Sequence, residues 1–196
     1  MRRAAVVMML MVCVATTALG QGTTNPDLKK LPEAPVPKVA APDPTEHTLG
    51  TNVDLVPGEK APDFQMESSL GGTIRSADLK GGWYVLVFDQ GFKQITPVRT
   101  VQDSLVAIGV KPFGVCRDRV DALRALALRQ HLALALLSDP TGEISQLFGM
   151  YDDGNETIRS GIVIVDGAGV VRMVVQGPSL HADDVLQMVR HVVRGM

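Results

Sequence analysis

Residues near the middle of the chain have the types and spacing of a site for an anion. Thr96 and Pro97 open a segment with helical periodicity directly after an apolar run, and Arg99 follows three residues after Thr96. Free N–H groups at a helix N-terminus and an arginine guanidinium both bind oxyanions. Together these groups would form a pocket for a carboxylate, sulfate or phosphate group. In the alternative interpretation, Arg99 points into solvent and this turn carries no chemistry.

A cysteine is the second candidate for chemistry. The chain has two cysteines, Cys13 and Cys116. Cys116 ends an apolar segment and is followed by Arg117 and Arg119, and nearby cations lower the pKa of a thiol. Cys116 is therefore a candidate for a reactive thiol or for a disulfide with another molecule. The alternative is a partly buried structural cysteine, which packs as a small apolar residue.

Acidic and imidazole side chains give no metal-ligand pattern. Residues 151–156, with the sequence YDDGNE, gather three carboxylates and an amide, a composition that suits Ca²⁺. Their spacing matches no known loop motif, and solvated charge accounts for them. No two histidines have metal-ligand spacing; they are His47, His131, His181 and His191. We therefore predict no metal and no cofactor.

Composition excludes several classes of partner. The chain has 21 acidic and 19 basic residues and a formal net charge of −2, so there is no basic excess to attract nucleic acid or an anionic membrane. Aromatic residues make up 4% of the chain, too few for a surface that stacks nucleic-acid bases. Motifs for a phosphate-binding glycine loop or a serine nucleophile are absent from the sequence. We predict a protein that does not bind nucleic acid.

Residues 1–20 have the order of a secretory signal peptide. Two arginines precede an apolar run over residues 4–15, and the small residues Ala18 and Gly20 fit cleavage before Gln21. The run is shorter than the ~20 residues that span a bilayer, which favours cleavage over retention as an anchor. We expect an exported protein in the periplasm or outside the cell, with Cys116 as its single cysteine after cleavage.

A proline-rich segment follows the leader. Six of the 12 prolines fall between Pro26 and Pro44, within residues 21–55. Such a segment has few groups to bury and forms neither a helix nor a sheet ladder. We interpret residues 21–55 as a disordered tether of polyproline character, with a docking segment for a partner as the alternative. One domain is predicted to occupy residues 56–196.

Strand and helix patterns alternate within this domain. The apolar run WYVLVF at residues 83–88 predicts a strand buried on both faces, and KPFGVC predicts the next strand. Helical spacing of apolar residues, including Val106 and Leu128, predicts helices over residues 96–109 and through RVDALRALALRQH. The segment ALALL fits either a strand or a helix end. A glycine-rich hairpin then precedes a terminal helix, for which Ser179 is the predicted N-cap.

This element order predicts a three-layer α/β sandwich in which helices flank a mixed sheet. It is the thioredoxin-like order.

Three sequence segments resemble one family. They are GEKAPDFQMESSLGGTIRSADLKGGWYVLVF, LLSDPTGEISQLFGMY and IRSGIVIVDGAGVV, and they occur in the family's order and spacing over about residues 58–194. The chain therefore resembles the peroxiredoxins, the alkyl hydroperoxide reductase/thiol-specific antioxidant family. The resemblance implies a thioredoxin-like fold and thiol-dependent reduction of hydrogen peroxide or organic hydroperoxides. It also implies a thiol reductant as a partner and allows a homodimer.

The resemblance departs from the family at the catalytic turn. The family pattern is P-x-x-x-T-x-x-C, with the peroxidatic cysteine at a helix N-terminus and an arginine from a distant segment. Matched residue by residue, Thr96 is the threonine, Arg159 is the arginine, Arg99 occupies the cysteine position, and Phe92 stands where the family has proline. Arginine is no nucleophile, because it is not deprotonated in a protein. A cation in the first helical turn also opposes the helix dipole.

These residues predict an exported peroxiredoxin-like protein that is degenerate and non-peroxidatic. One alternative is a thiol oxidoreductase that works through Cys116. The other is a binding module for an anion or small ligand at Arg99 and Arg159.

Overall fold

A computed structural model describes residues 55–92, 95–177 and 180–195 of the chain. The predicted signal peptide, the predicted tether up to residue 54, and Ser179 lie outside the described residues. No helix among the described residues is both long and apolar enough to cross a membrane.

The strands of the described residues are β1 Gln65–Ser68, β2 Thr73–Arg75, β3 Trp83–Phe88, β4 Val110–Cys116, β5 Ala135–Ser138, β6 Tyr151–Asp152, β7 Thr157–Ile158, β8 Gly161–Val165 and β9 Val171–Gln176. Seven of them form one mixed sheet in the order β2-β1-β5-β4-β3-β8-β9. The central strands β3, β4 and β5 run parallel, and the remaining pairs are antiparallel. A separate two-stranded hairpin is made by β6 and β7.

Both faces of this sheet are covered, which makes the predicted three-layer sandwich. The helices are α1 Ile95–Ala107, α2 Val120–Gln130, α3 Glu143–Leu147 and α4 Ala182–Arg194, and a short 3-10 helix spans Ser76–Leu79. Apolar side chains of α1, α2 and α4 pack together on one face. On the other face, a cluster that includes Phe64, Leu79 and Phe148 buries the sheet. The continuous apolar run of β3 is explained by this burial on both sides.

A glycine in the central sheet leaves room for the first residue of α1. A Cβ atom on Gly114 would lie 2.9 Å from Leu136 Cδ2 and 3.0 Å from Ile95 Cδ1. These separations are shorter than normal carbon–carbon contacts, so a larger residue at position 114 would require the ends of the Leu136 and Ile95 side chains to shift. Ile95 therefore packs against β4 at a position where β4 has no side chain.

Three local expectations need correction or refinement. Val106 is 56% exposed and Leu128 is 72% exposed, so these two apolar residues of the predicted helical patterns do not face the core. His181 is the residue that precedes α4, with no side-chain capping hydrogen bond, so the N-cap is not Ser179. The ambiguous ALALL segment contributes strand β5, which pairs with β4 in parallel.

Candidate functional site

The candidate residues lie around the carboxyl ends of β3 and β4. These strands are parallel neighbours, with Phe88 opposite Val115. Asp89 follows β3 directly, Cys116 ends β4, and α1 begins at Ile95. This edge is where ligands bind in open α/β sheets, since loops and helix N-termini meet there.

Thr96 is occupied by a local contact. Its backbone N–H and its side-chain hydroxyl both donate to the carbonyl oxygen of Phe92, at 3.1 and 2.8 Å. Phe92 has a φ of 61°, a left-handed conformation that is unusual for a non-glycine residue. The amide of Thr96 is therefore not free to bind an anion. Arg99 is the fifth residue of α1, which begins at Ile95.

The guanidinium of Arg99 donates a hydrogen bond to the C-terminal end of the neighbouring helix α2. Its Nη2 donates to the carbonyl oxygen of Gln130 at 3.1 Å, across 31 residues of sequence. Gln130 is the last residue of α2, where carbonyl groups lack partners within the helix. A cation at this end also matches the negative pole of the helix dipole. Arg99 thus caps α2 and ties it to α1, a role that neither sequence interpretation included.

Arg159 lies elsewhere along the same edge. It is exposed, and its backbone N–H donates to Met150 O at 2.9 Å. An open cleft of about 500 Å³ is lined by Arg159, Ser160, Gln176 and Gly177, and Arg99 is not among the described residues that line it. These contacts give no support to the expected anion pocket of Arg99, Arg159 and the helix amides.

The acidic segment at residues 151–156 builds a turn. Asp152 accepts hydrogen bonds from the backbone N–H groups of Gly154 and Asn155 and from Asn155 Nδ2. The side-chain bond from Asn155 is the largest cause that holds the pKa of Asp152 below its usual value, and the charge of Arg159 adds to it. Among the described residues, no group of three or more His, Cys, Asp or Glu side chains is placed to hold a metal ion.

Asp89 anchors the loop between β3 and α1. This carboxylate is only 2% exposed, and its Oδ1 accepts from the N–H of Gly91 at 3.2 Å and from Ser160 Oγ at 3.3 Å. The next residue, Gln90, accepts from the N–H of Ile158 through its Oε1 at 3.1 Å. The loop is thereby fastened to the β7–β8 segment. Sequence reasoning missed Asp89, although a carboxylate directly after a buried strand is a usable signal.

Cys116 is a core residue. It is 1% exposed and belongs to the buried apolar cluster that also contains Ile95, Leu123 and Leu136. Burial raises the pKa of the Cys116 thiol far above its usual value, and the negative charges of Asp118 and Asp89 raise it further.

The predicted activation of Cys116 by its neighbouring arginines is therefore wrong. Arg117 turns away to the β6–β7 hairpin, where it donates to Glu156 O and lies 5.7 Å from the centroid of the Tyr151 ring. Arg119 is exposed and precedes α2. The thiol thus lacks the cationic, accessible surroundings that generate a thiolate.

Comparisons with known proteins identify relatives of this fold. The model of the AhpC/TSA family matches residues 57–174. The peroxiredoxin of Thermococcus kodakarensis is 26% identical over 156 residues, which cover 69% of this chain and 71% of the relative. The selenocysteine-containing peroxiredoxin PrxU of Peptoclostridium acidaminophilum is 28% identical over 131 residues, which cover 59% of this chain and 64% of the relative.

A solved structure agrees with the architecture. The crystal structure of Enterococcus faecalis AhpC superimposes with a TM-score of 0.65 at 15% sequence identity, covering 72% of this chain and 97% of that one. At this identity the likeness establishes the fold, a thioredoxin-like sandwich of the peroxiredoxin type.

Proposed function

Because the chain belongs to the AhpC/TSA family, whose model matches more than half of it, we propose that it is an exported member that does not reduce peroxides. The family reduces peroxides through a reactive thiolate and a thiol reductant. In this chain the fold is retained, and the function proposed is binding or assembly through the folded domain.

The burial of Cys116 is the observation that carries this proposal. Peroxide reduction needs a thiolate that meets its substrate, and Cys116 is the one cysteine within the described residues. Its side chain is buried in the apolar cluster under α1 and α2, and its raised pKa keeps it protonated at neutral pH. This environment supports the structural interpretation of Cys116 and disfavours the thiol oxidoreductase alternative.

The contact made by Arg99 supports the same proposal. If Arg99 occupies the position of the family's cysteine, as the sequence resemblance implies, a reactive position has become a structural one. Its guanidinium donates to Gln130 O, and Arg99 is not among the described residues that line the cleft at Arg159, which disfavours an anion-binding role shared by the two arginines.

Thiol accessibility tests the proposal. The folded protein is treated with an aromatic disulfide reagent, and mass spectrometry assigns the label to individual cysteines. We expect Cys116 to react in urea but not in buffer, because reaction requires unfolding. The matched variant Arg99→Cys, made with Cys116→Ala, should react in buffer since position 99 is exposed. Rapid labelling of Cys116 in the folded native chain would contradict the proposal.

Export is a separate part of the proposal, supported by the sequence of residues 1–20. The full chain is expressed in a bacterium with an intact secretion pathway, and the intact mass of the product is measured. We expect loss of residues 1–20 and an N-terminus at Gln21. A product that retains these residues in the membrane fraction would contradict cleavage, and one that retains them in the cytoplasm would contradict export.

A further inference from the structure

A groove lies between the β1–β2 turn and the second half of α2. Its volume is about 400 Å³, within the range of ~300–1,000 Å³ that is typical of small-molecule sites. The turn contributes Leu70, and the helix contributes Ala127 and Leu128. Leu132, just after the helix, completes an apolar floor. None of these residues lines the cleft at Arg159, so the groove is a distinct feature of the surface.

Two exposed leucines distinguish this groove from ordinary surface. Leu70 is 57% exposed and Leu128 is 72% exposed. The other large apolar residues with high exposure in the described part of the chain are Val56 and Val106, and neither lines the groove. Single exposed apolar residues are normal, whereas two that meet in one concavity mark a surface suited to an apolar ligand.

The polar side chains that line the groove are Ser69, Arg124 and His131. Ser69 Oγ accepts from the N–H of Leu136 at 3.0 Å, and the other two carry N–H donors. No carboxylate is found among the described residues that line the groove. Arg124 pairs with Asp121 at 3.3 Å, but both side chains are largely exposed and such a pair contributes little. Its guanidinium has five N–H donors, so it can bind a second anion without losing Asp121.

His131 occupies a position that normally favours glycine. It directly follows Gln130, the last residue of α2, and has a φ of 50°, in the left-handed region. Glycine is the usual residue at such a helix end, because a Cβ atom is strained there. The chain places an imidazole beside the groove in spite of this strain, and strained residues are found preferentially at functional sites.

The end of α2 does not repel an anion as strongly as a free helix C-terminus would. Leu132 N–H donates to Ala127 O at 2.9 Å, and His131 N–H donates to Leu128 O at 3.4 Å. Arg99 donates to the carbonyl oxygen of the final residue of the helix. These three donors satisfy carbonyl groups that otherwise concentrate negative charge at this end.

We propose that this groove binds a free anionic amphiphile, of the class of medium-chain carboxylates. The alkyl chain lies on Leu70, Leu128 and the buried Leu132, and the carboxylate accepts hydrogen bonds from Arg124 and His131. Apolar contact and charge complementarity occur side by side, which is the arrangement that such a ligand requires. The proposal does not depend on peroxide chemistry.

Titration of the full chain with hexanoate, octanoate and decanoate, each below its micelle concentration, tests the proposal. Amide chemical shifts are followed by NMR. We expect shifts centred on residues 69–71 and 127–132, with affinity rising about fourfold per added CH₂ until the groove is filled. Decanol should bind more weakly than decanoate. Affinity that does not depend on chain length or on the carboxylate would overturn the proposal, as would shifts centred elsewhere.

Matched variants separate this groove from general apolar binding. Leu128→Ser should weaken decanoate binding about tenfold. Val106→Ser removes another exposed apolar side chain, outside the groove, and should leave decanoate binding unchanged. His131→Gly relieves backbone strain, so the fold is kept while affinity for the carboxylate falls.

Equal effects of Leu128→Ser and Val106→Ser on decanoate binding would refute the assignment of this groove. Shifts at Leu70 and Leu128 that follow protein concentration and do not respond to decanoate would identify a second copy as the occupant and refute it too.

Discussion

Removing the guanidinium of Arg99 should destabilise the domain by about 1 kcal/mol. A hydrogen bond that involves a charged group contributes ~1.5–3 kcal/mol when well protected, and exposure to solvent reduces this, since exposed charge interactions are worth about 0–1 kcal/mol. The favourable contact with the C-terminal pole of α2 adds ~0.3–1 kcal/mol. Arg99→Ala removes both contributions and leaves Gln130 O to water.

Urea unfolding measures this loss. With a slope of about 2 kcal/mol per molar urea, the midpoint of Arg99→Ala should fall by about 0.5 M with an unchanged slope. The melting temperature should fall by about 3 °C, as expected for a domain of this size. Arg99→Lys should recover part of the loss, because an ammonium group also donates to a carbonyl but reaches it without the planar geometry of arginine.

Arg124→Ala is the matched control for Arg99→Ala. It removes an arginine whose recorded ion pair, with Asp121, is exposed and within one helix, so the expected change is below about 0.5 kcal/mol. If Arg99→Ala is no more destabilising than Arg124→Ala, the capping role of Arg99 is refuted.

Three further changes test the packing of the domain. Burial alone would raise the pKa of Asp166, but hydrogen bonds from the N–H of Val170 and the guanidinium of Arg172 hold this pKa below its usual value of 3.8. The Asp166–Arg172 ion pair therefore stabilises the fold above pH 3.8. Its contribution is lost as the pH falls below 3.8 and Asp166 becomes protonated. Arg172→Ala should cost ~1–3 kcal/mol in urea unfolding at pH 7 and less below pH 3.8, and an equal loss at both pH values would contradict this reasoning. Gly114→Val should lower the melting temperature by several degrees, because its side chain overlaps its close neighbours; an unchanged melting curve would show that α1 can shift freely. Cys116→Ser should destabilise by ~1–3 kcal/mol since it buries a hydroxyl, whereas Cys116→Ala should cost less, and the reverse order in urea unfolding would argue against an apolar site.

The sheet and its main helices were predictable from sequence because their signals are local. A continuous apolar run requires burial on both faces, and β3 has one. The spacing of apolar residues is also a local signal, and it predicted α1 and α2. The exposure of Leu128 was not predictable, because it lies about 100° around α2 from the buried Ala127 and periodicity does not fix where the buried stripe ends.

The contacts of the candidate site were harder to predict because they depend on packing between distant segments. Nothing in the sequence around Arg99 indicates a partner 31 residues away at the end of another helix. The position of Cys116 at a strand end was correct, but the nearby arginines in the sequence were a poor guide to its charge environment. Arg117 turns to Glu156 and Tyr151, and the residues that raise the thiol pKa are the buried core and two carboxylates.

The most direct test of the central claim is peroxide consumption by the purified chain with excess dithiothreitol. We expect the native chain to consume hydrogen peroxide and an organic hydroperoxide at the rate of dithiothreitol alone, because its described thiol is buried and protonated. Protein-dependent consumption that disappears in Cys116→Ala would contradict the account, since it would show that the buried thiol meets peroxide in the folded protein.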